Sequence, residues 1–82
     1  MRVRFQAEDP ETDSVRFLAD TEVRQTQCLI TYSALEDHFH ATDGRYREAF
    51  AAHTDAILEA TARKLGDQQI EFGMVILRNE DF

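Results

Sequence analysis

At 82 residues, with 43% hydrophobic and 30% charged side chains, the chain has room for one domain with a small core and the make-up of a globular protein rather than a disordered one. Sixteen acidic residues against nine basic ones leave a net charge of -7, which opposes non-specific adhesion to nucleic acid or to anionic lipid. Cys28 is the only cysteine, so no disulfide can form within the chain and a reducing compartment is favoured.

Residues 1–5 alternate charged and apolar side chains, unlike the continuous apolar stretch of a secretory signal. The longest apolar run, residues 74–77, is far short of the roughly 20 residues that cross a bilayer. These features point to a single cytoplasmic domain, residues 1–82, with neither nucleic acid nor membrane as a partner.

Val3 and Phe5 alternate with Arg2, Arg4 and Gln6, the period of a strand with one buried face. Residues 8–14 gather a proline, acids and small polar residues, which make a turn. Val15, Phe17 and Ala19 then alternate with Ser14, Arg16 and Asp20, and residues 23–32 place Thr26, Cys28, Ile30 and Tyr32 on one face. Three antiparallel strands are predicted.

Ser33 and Glu36 have the spacing of a capping box, so a short helix is expected from Ser33, with Leu35 and Phe39 facing the sheet. After the break at residues 42–44, a longer helix carries Tyr46, Ala49, Phe50, His53, Ala56, Ile57 and Ala60 along one stripe, with Gly66 as a C-cap after Leu65. The apolar stretch of residues 70–77 reads as a last strand, covered on both sides or central. The predicted fold is therefore α+β, a two-layer β-β-β-α-α-β arrangement with two helices on one face of a mainly antiparallel four-stranded sheet. The position of the last strand depends on how the helices cross over, which periodicity does not specify.

Val15, Arg16 and Phe17, Cys28, Leu29 and Ile30, the run Ser33-Ala34-Leu35-Glu36-Asp37-His38-Phe39, then Ala49, Phe50, Ile57, Ala60 and Val75 to Leu77 together resemble a family of short bacterial proteins known as domain of unknown function 1488. The resemblance runs from about Val15 to the C-terminus and implies a stand-alone α+β domain. It implies no activity, ligand or catalytic residue.

Asp37, His38, His40 and His53 offer donors that suit zinc, but His38 and His40 point about 200° apart on a helix, whereas helical histidine pairs bind metal at i,i+4. Asp9, Glu11, Asp13 and Asp20 fall at four calcium-loop positions, yet Ser14 stands where that loop needs glycine and the flanks read as strands. Cys28 alternates in phase with Ile30, which makes it a small core residue rather than a nucleophile. Gly44, Gly66 and Gly73 are isolated, so no phosphate loop is present.

Arg2, Arg4, Arg16 and Leu18, with Leu29 beside them, share the sheet face away from the helices. Phe5 and Phe17 alternate to the other side, which leaves those arginines without the stacking rings of an RNA-binding sheet. Eight of the nine basic residues are arginine, the cation enriched in protein interfaces. The reading that follows is a non-enzymatic protein-interaction or self-associating module with Arg2, Arg4, Arg16 and Leu18 as its surface. It needs no cofactor, and its partner is another cytoplasmic protein or a second copy of the chain. The alternative is a small-molecule or metal-dependent activity centred on Asp37, His38 and His53.

Overall fold

The computed structural model of the protein describes residues 1–82. Strands β1 (Arg2–Asp9), β2 (Ser14–Asp20) and β3 (Gln25–Thr31) form an antiparallel meander. Helices α1 (Tyr32–Phe39), α2 (Tyr46–Ala52) and α3 (Thr54–Gly66) follow, and β4 (Val75–Leu77) closes the sheet parallel to β3. A 3₁₀ turn, Asn79–Asp81, ends the chain. The sheet order is β1-β2-β3-β4. The α+β class, the three antiparallel strands and the mainly antiparallel sheet agree with the sequence.

Alternation decides which side chains the helices cover. Val15 and Phe17 from β2, Cys28 and Ile30 from β3, and Val75 and Leu77 from β4 are fully buried beneath Leu35 of α1 and Ile57 of α3. Phe50 of α2 lies 5.2 Å from the Phe17 ring and 6.0 Å from that of Phe5. Burying a side chain of this size contributes about 1.5–3 kcal/mol, so these few residues carry much of the stability of so small a domain.

Five local expectations are corrected. The long helix is two, because the chain leaves helical geometry at His53, with φ -128° and ψ 31°. After the break α2 packs Phe50 against Phe5 of β1 and Phe17 of β2, while α3 packs against both β4 and β1. Gly66 is the last helical residue rather than the cap, and the left-handed residue after the helix is Gln68, at φ 56°.

The first helix starts earlier than Ser33. Thr31 is its N-cap, its hydroxyl accepting from the backbone N–H of Ala34 at 3.1 Å, which satisfies one of the orphan donors of the first turn. The last strand is only three residues long, because Glu71 and Met74 exchange two backbone hydrogen bonds of 2.8 Å around Phe72 and Gly73. Val23, expected in β3, lies instead in the turn of residues 21–24, held by bonds between Thr21 and Arg24.

The edges of the sheet differ. At the β4 edge the only lysine, Lys64, is 8% exposed, donates to the carbonyl oxygen of Ile76 at 2.8 Å and pairs with Asp81 at 3.0 Å. This occupies a carbonyl that an added strand would need. At the β1 edge a bulge between Phe5 and Ala7 interrupts the ladder.

Candidate interaction surfaces

The sheet face turned from the helices is built by β1, β2, β3 and β4 in register. Arg4 stands opposite Leu18, Leu18 opposite Gln27, Arg16 opposite Leu29, and Leu29 opposite Ile76. Leu18, Leu29 and Ile76 are half-buried and adjacent, an apolar strip edged by polar side chains. Gln6 and Gln27 bond to each other at 3.0 Å, reaching across the strand that separates them.

The arginines on this face are not equivalent. Arg4 makes a forked pair with Asp20, and Arg2 reaches the same carboxylate at 3.9 Å. The Arg4 guanidinium, by hydrogen bond and charge, holds the Asp20 carboxyl below the usual carboxylate range. Arg16 is exposed and has no ion pair. The expected residues Arg2, Arg4, Arg16 and Leu18 thus lie together on neighbouring strands, with Arg16 the one whose charge is unspent.

Asp37 and His38 lie in the last turns of α1 and meet the C-terminal turn. Asn79 donates to Ser33 and to Asp37, each at 3.0 Å, and the His38 ring is 3.1 Å from the Asn79 carbonyl oxygen. The His38 ring also packs on Phe82, whereas His53 stacks on Phe39 at 4.8 Å. The two histidines therefore flank an aromatic pair, Phe39 and Phe82 at 5.0 Å, and no group of three metal-binding side chains comes together. His40 caps α1 in the left-handed conformation.

Of the four carboxylates with calcium-loop spacing, Asp9, Glu11 and Asp13 are at the β1–β2 connection. Asp20 is at the far end of β2, paired with Arg4. Cys28 is buried, and burial pushes its thiol up to about 11, far from the low value a reactive thiolate requires.

A further surface escaped the reading of the sequence. The exposed large hydrophobic residues are Met1, Val23, Ile70 and Phe72, at 45%, 88%, 39% and 92%, and all four lie at the end of the sheet where β1, β3 and β4 begin. Ile70 and Gly73 line a recess of about 340 Å³ together with Arg24 and Gln25, so the turns of residues 21–24 and 71–74 are neighbours. The local clue was Gly73, a turn residue inside an otherwise apolar run.

Comparison with protein families is consistent with this fold. The chain matches the family described as "Protein of unknown function (DUF1488)" over residues 3–77. It belongs to that family. The match includes all three helices and all of the sheet but Arg2, so Arg4, Arg16 and Leu18 of the outer face, the turns of residues 21–24 and 70–74, and Asp37 and His38 are parts of a DUF1488 domain. Comparison with curated proteins and with solved structures finds no match. No helix is long and apolar enough to cross a membrane.

Proposed function

We propose that this DUF1488 domain is a non-enzymatic module that acts by protein–protein contact, and that the sheet face of Arg2, Arg4, Arg16 and Leu18 docks a partner bearing carboxylates. The observation that supports the reading is an unpaired Arg16 beside a half-buried apolar strip of Leu18, Leu29 and Ile76, on a chain whose net charge is -7. A protein of that charge attracts cations over most of its surface, and this face departs from the rule. A planar guanidinium makes paired bonds to a carboxylate, and apolar contacts beside it exclude the water that would weaken them.

The experiment compares wild type with Arg16→Glu, and with Arg16→Glu combined with Leu18→Asp. Proteins retained from the producing cells are purified and their direct binding is measured. A partner that binds wild type directly and is lost, by about tenfold or more, on Arg16→Glu supports the reading. Partners that bind all three proteins equally contradict it. Saturable binding of a metal or metabolite that depends on His38 would favour the Asp37, His38 and His53 alternative.

A further inference from the structure

We propose that the apolar end of the sheet, with Phe72 as its anchor, is a self-association surface that takes a second copy of the same chain. This goes beyond the docking face described above, since both the surface and the occupant are different.

Phe72 is held in a conformation that its side chain disfavours. Its φ is 54° and that of Gly73 is 75°, so the two-residue loop between Glu71 and Met74 has both central residues in the left-handed region. Such a loop selects Asn-Gly or Asp-Gly, while a bulky residue there is sterically strained. Inside one copy the strain is not repaid by packing, since Phe72 is 92% exposed. The turn is nonetheless fixed at its base: Arg78 makes a forked pair with Glu71, at 2.7 and 3.2 Å. A rigidly mounted aromatic with nothing to pack against has the form of an interface anchor.

Two observations select a second copy as the occupant. The first is area. Val23, Ile70 and Phe72 together expose on the order of 400 Å² per copy, so two copies closing on each other, with the exposed Glu22 and Arg24 beside them, would approach the roughly 1,000 Å² of a specific interface. The second is charge. Val23 is flanked by Glu22 and Arg24, both exposed and neither in an ion pair. A two-fold axis near Val23 runs the two turns in opposite directions and brings Glu22 of each copy toward Arg24 of the other. The same turn carries apolar contact and its own complementary charges.

The test is sedimentation equilibrium between about 1 µM and 1 mM, the span in which weak to moderate association is read, with circular dichroism on every variant. Wild type is expected to move from monomer to dimer. Phe72→Asn removes the ring but suits the left-handed turn, so it should fold at least as well while its dimer dissociates at least about tenfold more readily. Glu22→Arg should weaken the dimer, and Glu22→Arg with Arg24→Glu should restore it. A wild type that stays monomeric throughout overturns the proposal, as does a Phe72→Asn variant that associates like wild type or fails to fold. Phe72-dependent pelleting of a monomeric wild type with phosphatidylcholine–phosphatidylglycerol vesicles would overturn it in favour of a membrane surface. None of these variants touches Arg16, so this result and that for the docking face are independent.

Discussion

At one end of the sheet the connection from β1 to β2 passes through Asp13 at φ 49°, and at the other the approach to β4 passes through Phe72 at φ 54°. The backbone device is the same and the residues that fill it are opposite in kind. Aspartate visits the left-handed region readily because its short polar side chain can bond locally. Around Asp13 the loop satisfies itself: Glu11 donates to the Asp9 side chain, Thr12 bonds Ser14, and Tyr32 donates to the Asp13 carbonyl oxygen at 2.7 Å. Phenylalanine gains nothing of this sort at position 72. A turn whose residues suit its geometry explains itself, whereas one whose residue does not suit it points to a use outside the single copy.

That comparison rests on a core able to hold both ends in place, and the largest expected effect lies there. Phe50→Ala removes the ring between Phe5 and Phe17 from a site only 2% exposed, which should cost about 3–5 kcal/mol. Against a total of about 5 kcal/mol for a small domain, the variant should be largely unfolded by circular dichroism at 25 °C. A melting temperature near wild type would mean that the ends are held by something other than this core.

Alkaline pH probes the same core without mutation. The Cys28 thiol is pushed up to about 11 by burial. A folded value raised above the unfolded one means that stability is complete below about pH 9 and falls as pH rises toward 11, by on the order of 2–3 kcal/mol. Urea titrations at pH 8 and pH 10.5 measure it as the difference between wild type and Cys28→Ala, because Tyr32 and Tyr46 are raised as well and add a pH dependence that both proteins share. Equal pH dependence in both would show that the thiol is not the source.

Exchanging the two turn residues sharpens the contrast itself. Relieving a bulky left-handed residue should raise monomer stability by about 1 kcal/mol in Phe72→Asn, and Asp13→Leu should lower it by about as much. Melting temperatures taken at high dilution should move in opposite directions. Movement in the same direction would mean that Phe72 is not strained.

The smallest effect concerns the surface pairs. Arg4 lowers the Asp20 carboxyl and Arg78 lowers that of Glu71, mainly through hydrogen bonds. Depressed carboxyls contribute stability above their unfolded values, near 4, that is lost as pH falls through the folded ones. Acid unfolding of Arg78→Gln should therefore begin slightly above the wild-type pH. A coincident curve would show that the Glu71 turn stands without its clamp.

Much of this molecule was legible from periodicity alone. Alternation in β2 and β3 placed Phe17, Cys28 and Ile30 inward and Arg16 and Leu18 outward, because a half-buried strand forces that pattern. The break at His53 was not legible, since Tyr46 to Ala60 keeps helical spacing across it. Thr31 and Ser33 are both competent caps, and the register of β3 chooses between them. Ile70 and Phe72 read as strand residues because apolar identity normally signals burial, and here that signal reports a surface. The Lys64–Asp81 and Glu71–Arg78 pairs join residues that only the fold brings near. Arg2, Arg4 and Arg16 were found together as expected, but that Asp20 engages two of them and spares Arg16 required coordinates.

The most direct measurement is a dilution series of amide ¹H–¹⁵N spectra of the wild-type protein. Contact through the apolar end predicts concentration-dependent shifts confined to residues 21–24 and 70–74, with the acidic connection at residues 9–13 silent. Shifts absent at every concentration, or centred on residues 9–13, would contradict the account.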